Sequence, residues 1–260
     1  MVLRILKSII KVFVKFYLYK EDGSKIIGNR PHSKNFKGRI RLSGNSSLVL
    51  GNNIQFNGTL IIGNNSEVTI EDGCIIKNAE ISILNNSIAR IGKETVIDGL
   101  PIKHLVIYLD NGNLNLEGYN KIMSEILVRF GGVLTIGKYT GIGYHSEIRC
   151  EESITIGSFG LFSYEVCIYD TDTHSTNWEK RRERIIVGYP VGTAEVEKPN
   201  TKPVFIGNDV WLGKGVTIAK GTKIGDRCIV GIRTVVGSGE YPDETTIVSD
   251  KPRIISKNNG

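Results

Sequence analysis

The sequence predicts an all-β solenoid of stacked parallel strands, and three observations carry that reading. A six-residue phrase repeats from Val204 to Val236: a small residue, any residue, a large aliphatic, then glycine or alanine. The small column is Val204, Val210, Val216, Thr222, Cys228 and Thr234, and the aliphatic column is Ile206, Leu212, Ile218, Ile224, Val230 and Val236. Gly207, Gly213, Ala219, Gly225, Gly231 and Gly237 close the phrases. The same spacing recurs upstream, at Ile136, Ile142 and Ile148, at Ile156, Phe162 and Ile168 after a two-residue slip, and at Leu50, Phe56 and Ile62. Asn-Gly and Gly-Asn pairs, such as Asn111-Gly112, Gly51-Asn52 and Gly63-Asn64, mark corners.

Strand geometry turns the phrase into a fold. Residues two apart on a strand point the same way, so each small/aliphatic pair faces one interior. The glycine that follows lets the backbone turn where other residues resist. Three short strands and three turns make a coil of about eighteen residues, and each coil buries its aliphatic row on the next.

The elements follow in order. Residues 1–20 read as a basic amphipathic helix: Arg4, Lys7, Lys11 and Lys15 form one stripe among apolar residues. A charge in every turn argues against a spanning helix. Two readings stay open, a helix lying in a membrane interface and a cap on the solenoid end or on a sister subunit. Residues 21–240 form the solenoid domain. Its early coils are larger, since Leu50 and Ile70, and Ile76 and Ile97, recur at twenty to twenty-one. Between Ile102 and Gly132 the phase is not readable, although apolar clusters at 105–108 and 126–128 suggest strands. An extruded loop spans about 174–203, and 241–260 form a C-terminal tail.

Composition narrows the function. The chain has 260 residues, enough for one large domain, and 33 basic against 27 acidic residues. That mild excess is not the Lys/Arg and aromatic mixture of a nucleic-acid binder, so no nucleic-acid partner is expected. Cys74, Cys150, Cys167 and Cys228 have no metal-ligand spacing and read as buried thiols in a reducing compartment. No metal is expected, because the four histidines (His32, His104, His145, His174) are scattered. No signal-peptide cleavage pattern follows the apolar start, where Lys20, Glu21 and Asp22 come directly.

Chemistry is expected where the repeat stops at Ile168 and resumes near Val204. Long excursions from a compact scaffold are usually functional or disordered. This one opens Tyr169-Asp170-Thr171-Asp172-Thr173-His174. An imidazole there can exchange a proton near neutral pH, and Asp172 or Asp170 could hold its tautomer. By residue type alone, His174 reads more readily as an ordinary surface histidine than as a base.

The run Lys202-Pro-Val-Phe-Ile-Gly-Asn-Asp-Val-Trp-Leu-Gly, with Ile218-Ala-Lys-Gly-Thr-Lys-Ile-Gly-Asp and Val230-Gly-Ile-Arg-Thr-Val-Val, resembles the hexapeptide-repeat acyltransferases. Within them it is most similar to sugar O-acetyltransferases of the galactoside and capsule-modifying types. The resemblance holds over about 136–236 and is weak before it. It implies a left-handed parallel β-helix, a homotrimer with active sites between subunits, and acetyl-CoA as donor. It implies that His174 is the general base. It places Gly213 and Lys214 near the thioester, and Gly231, Ile232 and Arg233 along the pantetheine arm; Trp211, pointing outward, either flanks the donor site or packs at a subunit interface. Tyr164 and Glu165 match a position lining the acceptor pocket, although their residue types differ from the family's. Two departures concern the CoA phosphates. Gly237-Ser238-Gly239-Glu240 stands where a Thr-Lys pair is usual, and Ser249-Asp250-Lys251-Pro252-Arg253 replaces Gly-Asn-Pro-Ala. Lys251 and Arg253 are the substitutes expected there.

Two loop features complete the expectation. Trp178 could stack on a sugar ring or anchor the loop to a neighbouring subunit. Lys180, Arg181, Arg182 and Arg184 would draw an acidic glycan. The expected function is therefore acetyl-CoA-dependent O-acetylation of a cell-surface polysaccharide or its sugar precursor. The expected place is the cytoplasm, peripheral to the inner face of the membrane if the first helix binds lipid. Amino-sugar N-acetylation and a non-enzymatic β-helix scaffold are the rival readings.

Overall fold

The computed structural model describes residues 16–99, 105–188 and 197–249. Its strands pair in parallel throughout, in the order of the coils. One ten-stranded sheet forms one face, and a fifteen-stranded sheet bends around a corner to form the other two. Both columns of the C-terminal phrase point inward and are buried, from Val204 and Ile206 to Thr234 and Val236. Ile206 pairs with Ile224, eighteen positions on, which is the expected coil.

Upstream the coils run to about twenty residues because single strands cross two faces. Phe36–Leu42, Gln55–Ile62, Ile75–Leu84, Lys121–Arg129 and Gly141–Cys150 bend round the corner without a break. Register shifts at Asn57/Gly58 and Ile122/Ser124 absorb the bend. Close stacking needs glycine at one of these places. Gly38 has φ +93°, and a Cβ there would meet the Gly58 carbonyl oxygen at 2.0 Å.

The corners have their own chemistry. Between the second and third faces, Ser46 and Ser66 each donate to a carbonyl three residues back, at 2.7 Å, and their Oγ atoms accept the amides of Ser66 and Ser87. The neighbouring Asn45, Asn65, Asn86 and Asn111 hold positive φ between 52° and 61°. Asparagine tolerates that region better than other side-chain-bearing residues, so it takes the turn. At another corner Tyr119, Tyr139 and Phe159 also have positive φ and stack face to face, with centroids 4.7 and 5.3 Å apart.

The two ends differ from the sequence reading. Phe16–Lys20 is a strand, paired with Gly38 to Leu42, so the helix expected over 1–20 does not include these five residues. Alternating aromatics suit a half-covered strand, and Arg41 lies over the Tyr19 ring at 5.5 Å. The rest of that segment, residues 1–15, lies outside the described residues. At the other end Gly239–Tyr241 and Thr246–Ile247 still pair in register with the preceding coil, so the solenoid continues past 240.

Candidate active site

The extruded segment leaves the solenoid at the corner after Cys167–Tyr169 and returns at Val204–Ile206. Departure removes the backbone that would cap the coil below. Asp170 supplies the replacement: its carboxylate accepts the amides of Glu151, Glu152 and Ser153, each at 2.8 Å. It is fully buried, and burial pushes its carboxyl above the ordinary range against the pull of those amides. Asp170 is thus committed to the neck and not to an imidazole. Beside it the buried Glu151 binds Arg129 and accepts the Thr171 hydroxyl at 2.7 Å. An antiparallel bridge between Thr171 and Thr201 ties the two legs, and Lys202 N donates to Asp170 O at 2.9 Å.

His174 stands three residues beyond this brace and is exposed. The turn before it is forced by Thr173, whose φ is +63° and whose amide bonds Thr171 Oγ1 at 3.0 Å. Asp172, expected to orient the ring, is held instead by Lys220 Nζ at 2.6 Å. Arg184 reaches the ring, and its Nη1 donates to His174 Nδ1 at 3.2 Å. A guanidinium only donates, so Nδ1 accepts and the neutral ring carries its proton on Nε2.

Arg184 arrives on a helix, Trp178–Gly188, which the sequence reading missed. Its start was legible in principle. Asn177 Oδ1 accepts the amide of Glu179 at 2.8 Å, an ordinary N-cap. Trp178 opens the helix and carries the Arg182 guanidinium over its ring at 4.6 Å. Both line a shallow hollow with Glu183 and Ile186 on the helix surface.

The expected donor residues gather at the other corner of the same coils. Lys214 Nζ pairs with Glu165 Oε1 at 3.0 Å, and Tyr164 stacks parallel to Tyr144 at 6.3 Å. The Gly213 position is sterically required: a Cβ would come within 2.8 Å of the Ile232 amide nitrogen. Ile232 is highly exposed, and Arg233 turns the corner at φ +53°. At Gly231 a Cβ would meet the Val248 side chain at 2.9 Å. Trp211 points outward on the flat face between Leu161 and Ile229, as its place after Val210 predicts. Thus Tyr164 and Glu165 lie with Lys214, not with His174. The strand Thr217–Ile218 separates Lys214 from Lys220 along one coil. Lys251 and Arg253 lie outside the described residues. Among the described residues no cluster of His, Cys, Asp and Glu has the makings of a metal site.

Residues 203–238 match the family model for the bacterial transferase hexapeptide, six repeats. The C-terminal coils thus carry the hexapeptide repeat that this model describes. Among solved structures, the chain is similar to the polySia specific acetyltransferase NeuO, with 19% identity and a TM-score of 0.51 over 92% of this chain and 88% of that one. The polysialic acid O-acetyltransferase OatWY also matches, at 19% identity and a TM-score of 0.40 over 94% of this chain and 95% of that one. A third is the hexapeptide-repeat containing acetyltransferase VCA0836 from Vibrio cholerae O1 biovar eltor, complexed with acetyl coenzyme A. It shares 25% identity and a TM-score of 0.39 over 54% of this chain and 70% of that one. Of these three, the NeuO likeness bears on the fold, a parallel β-solenoid consistent with the left-handed β-helix that the family resemblance implies. None of the curated proteins is a significant match to the chain.

Proposed function

We propose that the protein is an acetyl-CoA-dependent O-acetyltransferase with His174 as general base and an acidic glycan as acceptor. One observation carries this reading: the excursion from the hexapeptide coils is braced at its neck, and the brace delivers an exposed imidazole. A sugar hydroxyl is a weak nucleophile. As its oxygen attacks the thioester carbonyl, the imidazole takes its proton, help worth roughly a hundred- to ten-thousand-fold. The tetrahedral oxyanion needs fixed N–H donors, which the tight turn at Gly213 could supply. Collapse expels the CoA sulfur, and the imidazolium returns the proton to it.

The Arg184 contact supports an acidic acceptor. While Arg184 donates to Nδ1 and Nε2 holds the proton, the ring has no lone pair to offer. A carboxylate on the acceptor would compete for the guanidinium and free Nδ1 as the hydroxyl arrives. The placement of His174 and Lys214 at different corners of two adjacent coils supports a site completed between subunits of a homotrimer. Trp211, Gly213, Lys214, Gly231, Ile232 and Arg233 would then serve the donor, and Trp178, Arg182, Tyr164 and Glu165 the acceptor.

The test is transfer of labelled acetyl from acetyl-CoA to neutral and sialic-acid-containing glycans, by wild type and His174→Ala. Loss of at least a hundredfold in the folded variant is the expected result. Equal activity would remove His174 from the chemistry, and turnover only on amino sugars would move the reading to N-acetylation. Absence of donor binding and turnover in wild type would favour a scaffold.

A further inference from the structure

The charge of the chain is distributed very unevenly. Residues 1–42 hold eleven basic and two acidic residues, a formal charge of +9, whereas the remaining 218 hold 22 and 25, a charge of −3. All seven cations among residues 20–41 are exposed, and none pairs with a carboxylate among the described residues. They spread over the first two coils, with Lys25 on one face and Arg39 and Arg41 on another.

Exposed apolar groups share that end. Tyr17 is 60% exposed, Tyr19 54%, Ile27 52% and Leu18 44%. Register stacks the two kinds: Tyr17 pairs with Arg39 and Tyr19 with Arg41. Tyr17, Leu18, Tyr19, Arg39 and Arg41 line one shallow hollow. Tyrosines with a polar tip, aliphatics beside them and cations alongside is the composition that sits at the level of lipid headgroups. A soluble polyanion would engage the cations and leave Leu18 and Ile27 in water. A second copy would bring like charge against like.

We infer that the N-terminal end of the solenoid, its first two coils, is a docking surface for an anionic lipid bilayer. The cations meet the headgroups, and Tyr17, Leu18, Tyr19 and Ile27 enter the interfacial layer. This surface is built by strands, so it is distinct from any contact made by residues 1–15, and it does not depend on the reaction assigned to His174.

The experiment is vesicle co-sedimentation of the full-length protein. Vesicles of phosphatidylcholine alone are compared with vesicles containing about a third phosphatidylglycerol, in low and high salt. Binding to the anionic vesicles, weakened by salt, is expected. Two double variants leave residues 1–15 intact: Arg39→Gln with Arg41→Gln, and Tyr17→Ser with Tyr19→Ser. Each should weaken binding about tenfold or more while keeping the far-ultraviolet spectrum of wild type. Unchanged vesicle binding by both folded variants overturns the proposal. So does a wild type that ignores vesicles and instead retains a soluble sialic acid polymer through these residues, which would make the surface a glycan site.

Discussion

Arg184 Nη1 lies 3.2 Å from His174 Nδ1, so the helix of the excursion holds the imidazole by the nitrogen that would otherwise be its acceptor for a proton. Replacement by Arg184→Gln removes both this hold and the carboxylate partner. Transfer to an acidic glycan should fall about tenfold or more, the size of a lost charge-assisted hydrogen bond, while transfer to a neutral sugar does not fall. Imidazole nitrogen-15 spectra give an independent readout. Wild type should show the Nε2–H tautomer at His174, and the variant a mixture. A proportional loss on both acceptors with an unchanged tautomer would reduce Arg184 to a structural role.

Asp170 is the capstone of the coil below the excursion. Asp170→Asn keeps one carbonyl oxygen for the Glu151 amide but turns an NH2 toward the amides of Glu152 and Ser153. Stability should drop by about 1–3 kcal/mol, measured by denaturant unfolding. Acetyl transfer should drop too, because His174 is placed by that neck. Stability equal to wild type would mean that the amides find other partners.

The aromatic ladder can be weighed at its centre. Tyr139 stacks on both Tyr119 and Phe159, and each pair is worth about 0.5–1.5 kcal/mol, so Tyr139→Ala should lose about 1–3 kcal/mol. Tyr139→Gly should recover part of that loss, since φ is +60° there and glycine adopts it freely. Greater damage from glycine than from alanine would contradict this account.

Burial pushes the Cys74 thiol up to about 11 from 9.0. The folded state therefore keeps its proton after the unfolded chain has lost it. The stability this supplies is full below pH 9 and is lost as pH rises toward 11, at about 1.4 kcal/mol per pH unit. Cys150 is raised by the same cause and acts in the same direction. Denaturant midpoints measured across that window should fall less steeply in Cys74→Ala than in wild type.

The columns of the C-terminal coils were legible because one residue type meets one environment at every step: Val210, Val216 and Cys228 are all fully enclosed. The phase was not readable between Ile102 and Gly132 because the step there lengthens: Ile97 pairs with Ile122, twenty-five positions on, where Ile76 pairs with Ile97 at twenty-one. Strands that bend through a corner, as Lys121–Arg129 does, also hide the spacing of six. The excursion and His174 were visible as a break in the repeat. The partners of its neck were not. Asp170 binds amides about twenty residues earlier, and Asp172 binds Lys220 forty-eight residues later. Neighbours of that kind are created by stacking coils and leave no local pattern. Position along a coil also fixes the corner, so Glu165 meets Lys214, forty-nine residues later.

Parallel stacking also makes the protein a gauge. From Leu18 the inward residues of successive coils are Ile40, Leu60, Ile81, Ile107, Ile126, Ile148 and Ile168. Seven steps at the strand spacing of about 4.8 Å set Ile168, and the excursion that follows it, roughly 34 Å above the first coil. Adding or deleting one coil would move His174 by a single spacing without altering its surroundings. The length of the solenoid thus fixes how far from its base the protein can work.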